Sequence, residues 1–337
     1  MYTKFSKPLN DILKIKSSFF VDNEKLLKEN EKLLRFYRRQ PIRKICKNCS
    51  YKLQNKYDFI THNVKYKVCK KCSHLNGNFQ DTKTYSNYCY KPKHNNYIKF
   101  YSKSYSARVK KVYLPKVNFL LDFIKKKKIK KVSILDVGCG AGHFLKSLEN
   151  NKIFGTGIET NDEMVNLGNS KLKKNIIIST NEEQSLNQIR HTKANIVSMI
   201  SVLEHLHDPN SFLRSISKSN IKYFYASIPM VSLSVLIENL FQDVFPRHLC
   251  ATHTHLYTKK SIKYLLSKFG MKIVGEWWFG TDFLDLKRSF EITSRKNKFN
   301  TQSILNSSIM NNIDTFQKIL DEKKICSELH FIAKVNN

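Results

Sequence analysis

The chain has 337 residues, of which 41% are hydrophobic, and 59 Lys and Arg against 27 Asp and Glu give it a net charge of +32. This apolar content excludes an intrinsically disordered chain, and the length predicts one large domain with a smaller module. No uninterrupted apolar stretch of about 18 residues and no signal peptide are found, so we expect a cytoplasmic protein without a membrane span.

The positive charge is concentrated near the N-terminus. Residues 1–130 carry a net charge of +25, whereas residues 131–337 carry +7. A region this basic could bind nucleic acid, a polyanionic glycan or an anionic membrane surface. Its lysines are scattered and do not form one motif, so a solvated surface is the simpler interpretation. Both interpretations stay open.

The first 40 residues form a basic N-terminal extension. Within it, the sequence EKLL recurs at a seven-residue interval, at residues 24–27 and 31–34. The leucines then share one stripe of a helix, which predicts an amphipathic helix that packs on its own chain. Two heptads are too few for a stable coiled coil.

Residues 41–90 contain two CxxC pairs with 19 residues between them. In a chain without a secretory signal, such pairs indicate a zinc ribbon more than disulfides. Redox-active dithiols are the alternative, but the strand–helix context of a thioredoxin is missing. All four positions of a tetrahedral site are filled, so we predict a structural Zn²⁺ ion with these ligands: Cys46, Cys49, Cys69 and Cys72. Residues 91–117 are expected to connect this module to a domain spanning residues 118–337.

Strands and helices alternate in the large domain. Short connections between them predict an α/β fold, with a doubly wound (Rossmann-like), mostly parallel sheet of seven strands. The predicted strands are 132–137, 153–159, 175–179, 196–201, 222–228, 271–278 and 329–335. The predicted helices cover 117–124, 143–149, 162–167, 209–216, 261–269 and much of 289–325.

A glycine-rich loop, Gly138-Cys-Gly140-Ala-Gly142, follows the first of these strands. A dinucleotide fingerprint would need a further glycine where His143 stands, and the phosphate-binding GxxxxGK[ST] pattern is not matched. An acid, Glu159, closes the second strand, where it could accept the ribose hydroxyls of an adenosine group. Asp136, just before the loop, would repel a pyrophosphate and favours a cofactor with cationic groups.

The segment from Asp136 to Gly142, taken together with Glu159, resembles motif I and the ribose-binding acid of class I S-adenosylmethionine-dependent methyltransferases. The segment Ser201–Pro209 is similar to the one that follows the fourth strand in that family. The resemblance covers about residues 118–337. The paired CxxC motifs are similar to the zinc module of a subgroup that acts on sugars and other small metabolites.

The resemblance implies S-adenosyl-L-methionine as the cofactor. Its amino-acid part would be approached by Gly138, Cys139 and Gly140, and its ribose would be bound by Glu159. The region at Leu203 would line the methyl-donor side of the site. The cofactor-binding residues that it implies are Asp136, Gly138, Cys139, Gly140, Gly142, Glu159, Ser201 and Leu203.

Histidines cluster after the fourth and fifth strands. A hydroxyl or carbon nucleophile must lose a proton during methylation, best to a group with a pKa near neutrality. His205 and His253 are therefore the candidate catalytic residues, although packing or capping roles stay open for both. Thr252 precedes His253 where C-methylating relatives carry a Glu-His pair, which weakens a carbon-methylating interpretation.

We therefore expect methyl transfer to a small-molecule acceptor, a nucleotide-linked or surface-glycan sugar, on oxygen or carbon. One alternative is an RNA or other nucleic-acid methyltransferase that uses the basic zinc module. It is disfavoured because no Asp/Asn-Pro-Pro-aromatic motif follows the fourth strand and Pro229 is not followed by a nucleophilic cysteine. The other alternative is a non-catalytic zinc-ribbon binding protein. The sequence identifies neither the acceptor and the methylated atom nor the oligomeric state.

Overall fold

The computed structural model describes residues 1–9, 22–89, 97–298 and 310–336. Parts of the predicted connector and of the predicted helical interval 289–325 therefore lie outside the described residues. The described strands are β1 Tyr2–Phe5, β2 Phe59–Thr61, β3 Val64–Val68, β4 Leu75–Gly77, β5 Ser133–Val137, β6 Phe154–Glu159, β7 Ile177–Ser179, β8 Ile196–Ile200, β9 Tyr223–Pro229, β10 His255–Leu256, β11 Met271–Phe279 and β12 Glu328–Val335. The described α-helices are α1 Asn23–Tyr37, α2 Lys83–Cys89, α3 Tyr97–Lys103, α4 Tyr105–Arg108, α5 Leu114–Lys126, α6 His143–Asn150, α7 Asp162–Lys171, α8 Glu182–His191, α9 Pro209–Ser217, α10 Leu233–Leu240, α11 Lys259–Lys268, α12 Asp282–Lys296 and α13 Ile313–Glu322.

The main sheet has the strand order β1-β11-β12-β9-β8-β5-β6-β7. Its strands run parallel except β12, which is antiparallel to both of its neighbours. The predicted doubly wound, mostly parallel sheet is confirmed, but the sheet has eight strands and not seven. The additional strand, β1, pairs with Gly275–Trp278. Its sequence, YTKF, is only partly buried and lacks the apolar run of a central strand, so it gave no signal.

Two apolar cores cover the two faces of this sheet. Successive residues of β5 point to opposite faces, so Leu135 belongs to one core and Ile134 to the other. The first core also contains apolar side chains of α9 and α11, and the second those of α5 and α6. Helices on both faces are what a doubly wound sheet requires.

Local sequence explains where several helices begin and end. Asp208 caps α9, because its Oδ1 accepts hydrogen bonds from the backbone N–H groups of Asn210 and Ser211. Pro115 stands in the first turn of α5. After α11, Gly270 adopts a φ of +68°, the left-handed conformation in which a glycine commonly ends a helix.

The second sheet belongs to the cysteine-rich segment and has the order β10-β4-β3-β2. Its edge strand, β10, comes from the C-terminal half of the chain and pairs with Leu75–Asn76. Helix α1 packs on this sheet through Leu34 and Tyr37, which lie in a core shared with Val64 and Leu75. Helix α1 lies in the segment expected to form an amphipathic helix, and it packs on its own chain.

Candidate active site and four-cysteine cluster

A cavity of about 1500 Å³ lies where strands β5, β6, β7 and β8 end. In an open α/β sheet this carboxyl edge is where ligands bind. One side of the cavity, here called the glycine-loop side, consists of residues from 137–140, 158–164 and 179–185. The other, the histidine side, consists of residues from the loops 201–207 and 245–253 and from helices α1 and α2.

The glycine loop turns sharply at the end of β5. Gly138 and Gly140 have φ angles of +65° and +53°, in the left-handed region that favours glycine. A Cβ atom on Gly138 would lie 2.8 Å from Val202 Cγ2, whereas one on Gly140 would meet no atom within 4 Å. The backbone of Gly140 is thus open to the cavity, so a ligand can approach it closely.

Glu159 ties this loop to the end of β6. Its Oε2 accepts a hydrogen bond of 2.8 Å from the N–H of Gly140, and its Oε1 accepts bonds of 2.8 and 3.1 Å from those of Thr160 and Asn161. A carboxylate has about four lone-pair sites. Oε1 also accepts a bond of 3.3 Å from the Thr160 hydroxyl, whereas Oε2 accepts only from Gly140 among the described residues, so Oε2 keeps about one site for a ligand in the cavity.

Four of the predicted cofactor-binding residues line the cavity, namely Gly138, Gly140, Glu159 and Ser201. Ser201 has a φ of +57°, and its N–H donates to the Ser227 carbonyl oxygen at 3.1 Å. A serine in this region is strained, and strain of this kind is concentrated at functional sites.

The other four predicted residues lie behind the cavity wall. Asp136 is buried, where Ser198 Oγ donates to its Oδ1 at 2.7 Å, and burial raises the pKa of Asp136 to about 7. The side chain of Cys139 packs over Gly157, which has no Cβ in the way. Gly142 begins helix α6, and Leu203 is fully buried in the first core. These residues shape the loop and do not line the cavity.

The two predicted catalytic histidines lie together on the histidine side. The rings of His205 and His253 stack with their centroids 4.8 Å apart, and both residues line the cavity. Glu204, 2% exposed, places its Oε1 3.9 Å from His205 Nε2. The structure thus joins residues from two loops into one group, which we call the Glu204 cluster.

Burial and mutual charge set the protonation of this group. Burial raises the pKa of Glu204 to about 7, against the opposing influence of His253, and burial lowers the pKa of His205 to about 3. Burial also lowers the pKa of His253, but the charge and hydrogen bond of Cys250, together with the charges of Glu204 and Glu238, outweigh burial and raise that pKa to about 9. Burial raises the pKa of the Cys250 thiol, but His253 acts in the opposite direction, and the resulting pKa is lowered to about 7. Cys250 lines the cavity too, and sequence reasoning missed it, because its isolated position carries no signal.

A buried ion pair holds the loop that carries His253. Arg247 donates two hydrogen bonds to Asp285, from Nε at 2.7 Å and from Nη2 at 3.0 Å. Burial raises the pKa of Asp285, but the Arg247 guanidinium outweighs it and holds that pKa well below its usual range. Glu238 accepts hydrogen bonds from the backbone N–H groups of residues 247–249, so the loop is fixed at its start.

The four predicted zinc ligands form one cluster. Their Sγ atoms all lie within 4.8 Å of one another, with Cys46 and Cys72 at 3.7 Å and Cys49 and Cys69 at 3.5 Å. Sulfur atoms bound tetrahedrally to zinc at about 2.3 Å lie about 3.8 Å apart, so the cluster fits this ion. The side-chain amides of Asn48 and Asn76 donate to Cys72 and Cys46. Such donors suit thiolates that hold a metal.

The cysteine-rich segment also holds both loops of the histidine side. Lys47 Nζ donates to the Leu206 carbonyl oxygen at 2.7 Å and forms an ion pair with Asp81. On the second loop, the N–H of Gly77 donates to the Thr254 carbonyl oxygen at 2.8 Å. The hydroxyl of Tyr85 donates to the Ala251 carbonyl oxygen at 2.6 Å.

None of the described helices is both long and apolar enough to cross a bilayer.

Several solved structures align with this chain at low sequence identity. The plantazolicin methyltransferase BamL aligns with a TM-score of 0.48 and 17% identity, over 75% of this chain and 94% of that one. A SAM-dependent methyltransferase from Archaeoglobus fulgidus aligns with a TM-score of 0.45 and 17% identity, over 71% of this chain and all of that one. Magnesium protoporphyrin IX methyltransferase from Synechocystis PCC 6803 gives a TM-score of 0.45 and 13% identity, over 68% of this chain and 87% of that one.

Among curated proteins, none matches the chain. The family model described as a methyltransferase domain matches residues 105–276, about half of the chain. That span contains the glycine loop, Glu159 and both histidines of the Glu204 cluster. The chain belongs to this methyltransferase family, as a class I S-adenosylmethionine-dependent enzyme.

Proposed function

We propose that the protein methylates a small hydroxyl-bearing acceptor, bound on the histidine side of the cavity, from S-adenosylmethionine bound on the glycine-loop side. The observation that carries this proposal is that one cavity is lined by Gly140 and Glu159 on one side and by His205 and His253 on the other. When bound, the cofactor supplies an electrophilic methyl group on a sulfonium.

The glycine-loop side suits such a cofactor in shape and charge. Gly140 leaves its backbone open, and Glu159 keeps about one lone-pair site for a ribose hydroxyl. Further carboxylates line this side, including Asp162 and Glu182, and they favour a ligand with sulfonium and ammonium charges. We assign direct contact with the cofactor to Gly138, Gly140 and Glu159 on this side, and to Ser201 of the histidine side. Asp136, Cys139, Gly142 and Leu203 would support the site from behind.

The histidine side suits a polar acceptor such as a sugar. It presents side-chain hydroxyls and amides, among them Ser86, Asn87 and Thr252. The cavity exceeds the roughly 300–1,000 Å³ of a single small-ligand site, so it has room for a cofactor and an acceptor together. Lys83, exposed in the same wall, would meet the phosphates of a nucleotide-linked sugar.

The residues of this chain act mainly by placing the reactants. Holding two reactants in line and away from bulk water can supply on the order of 7–11 kcal/mol of the barrier. We propose that His205 and His253 are the catalytic residues that contact the acceptor's reacting group. One Zn²⁺ ion in the four-cysteine cluster would be structural, because four protein ligands leave it no open position.

The test has two parts. Calorimetry with S-adenosylmethionine and S-adenosylhomocysteine should show binding of both, and a screen with methyl-labelled cofactor should label nucleotide sugars or free glycans. Labelling of RNA with no labelling of sugars would overturn the acceptor class in favour of a nucleic-acid methyltransferase. Absence of cofactor binding in the folded, zinc-loaded protein would overturn the proposed activity and favour a binding protein.

A further inference from the structure

The Glu204 cluster has the composition and spacing of a metal site. One ligand atom from each of Glu204, His205 and His253 lies within 4.8 Å of the other two. Two ligands bound to one ion at about 2.1 Å lie at most about 4.2 Å apart. A small adjustment of the side chains would therefore bring all three onto a single cation.

The orientation of His205 is that of a metal-binding imidazole. Its Nδ1 lies 3.2 Å from the Thr252 carbonyl oxygen, which can only accept a hydrogen bond. The proton is therefore assigned to Nδ1, and the Nε2 lone pair lies on the edge of the ring that faces Glu204. Histidines that bind metals commonly donate their second ring N–H to a backbone carbonyl in this way.

Glu204 is a buried carboxylate with one oxygen atom that no hydrogen bond compensates. Its Oε2 is buried and has no hydrogen-bond partner among the described residues, and the same holds for His253 Nδ1. Burying a carboxylate oxygen without a donor is costly, and a bound cation would remove that cost.

A second cluster in the same protein provides a comparison. Glu238, His248 and Asp285 provide two carboxylates and one imidazole at similar spacing. There, however, Glu238 accepts from three backbone N–H groups and from His248 Nδ1, and Asp285 accepts from Arg247. The carboxylates of that cluster are thus satisfied by the protein itself, whereas Glu204 Oε2 and His253 Nδ1 have no hydrogen-bond partner among the described residues.

We propose that Glu204, His205 and His253 bind one divalent first-row cation, whose open coordination positions face the cavity and hold the acceptor's oxygen. Two imidazoles and one carboxylate suit ions such as Mn²⁺, Fe²⁺, Co²⁺ or Zn²⁺. The binding of the acceptor's oxygen by the cation rests on the proposed function, whereas the binding of the cation by the three side chains does not.

Such a cation would favour loss of the acceptor's hydroxyl proton, because a bound hydroxyl is more acidic than a free one. An oxygen lone pair then forms the new O–C bond, the electron pair of the broken C–S bond returns to sulfur, and the hydroxyl proton passes to water. The cation is neither oxidised nor reduced, so no further reactant is needed.

Co²⁺ is the probe for the test, because its visible spectrum distinguishes nitrogen and oxygen ligands from thiolates. Zinc-loaded full-length protein is dialysed against Co²⁺, and cobalt per chain is counted by elemental mass spectrometry. We expect one cobalt in the wild type, with weak visible bands and no strong sulfur-to-cobalt absorption. Glu204→Gln and His253→Gln should each weaken cobalt binding at least tenfold. Glu183→Gln, which removes a carboxylate elsewhere in the cavity, should bind cobalt as the wild type does.

Calorimetry with S-adenosylmethionine on the same samples separates the two proposals and shows that each variant is folded. Wild-type protein that binds the cofactor but takes up no cobalt outside the cysteines would overturn the metal site and leave the proposed function standing. Unchanged cobalt affinity in Glu204→Gln would also overturn the metal site. If the wild-type protein bound cobalt but failed to bind the cofactor, only the proposed function would be overturned.

Discussion

Replacing Glu159 with glutamine tests the glycine-loop side most directly. The carboxylate takes three backbone N–H donors and keeps about one lone-pair site for a ligand. One hydrogen bond to a charged group contributes about 1.5–3 kcal/mol. Its loss should raise the Kd for S-adenosylmethionine about 10- to 150-fold. The amide NH₂ of glutamine would also face a backbone N–H, so the loop should lose order. The increase in Kd should then lie near the upper end of this range.

Calorimetry measures this Kd, and thermal unfolding without cofactor shows whether the variant is folded. Glu163→Gln is the matched control, because it removes the same charge from the same cavity without removing a bond to the glycine loop. The control should change Kd about twofold or less, through long-range charge alone. If Glu159→Gln bound the cofactor as tightly as the control, Glu159 would not contact the cofactor and its assignment would be wrong.

Three further predictions concern the zinc cluster, the buried ion pair and the acceptor. Cys69→Ser should lower the zinc content by one ion per chain in elemental analysis and lower the melting temperature. Cys89→Ser, which replaces a buried cysteine outside the cluster, should retain that zinc. Equal zinc content in both variants would contradict the assignment. The pKa of Asp285 is depressed, so its stabilising effect is full above the unfolded pKa of about 3.9 and disappears as the pH falls through the folded value. Asp285→Asn should therefore lower the free energy of unfolding by about 3–5 kcal/mol at pH 7, and by less below pH 4. Denaturant titrations measure this difference, and a difference that does not change with pH would refute this account. Lys83→Gln should raise KM for a phosphorylated acceptor but not for its unphosphorylated form, and an equal effect on both would exclude a role in phosphate binding.

The sequence was sufficient to predict most of the main sheet. Buried parallel strands are apolar runs of limited length, so β5 and β8 could be located to within one or two residues. Strands β1 and β10 gave no such signal, because they are short and form only by pairing with distant partners. Helices α8 and α10 were missed as well, although Asn181 and Gln184 form a capping box at the start of α8.

The candidate site could be predicted only where its residues are local in sequence. The glycine loop lies within a few residues of β5, and a fixed strand–helix unit separates it from Glu159. His205 and His253 are far apart in the chain, and nothing in either loop indicates that their rings stack. The direction of Cys139 depends on space left by Gly157 on the neighbouring strand, which only the packed sheet reveals.

The pairing of β4 with β10 has a consequence for the order in which this protein can fold. About 180 residues separate Leu75 from Leu256, its partner in the sheet. During synthesis, the cysteine-rich segment therefore emerges long before its edge strand exists, and until then β4 exposes unpaired backbone groups. A fragment ending before β10 would keep all four cysteines but lack that strand. We expect such a fragment to bind zinc and to be prone to association through this exposed edge.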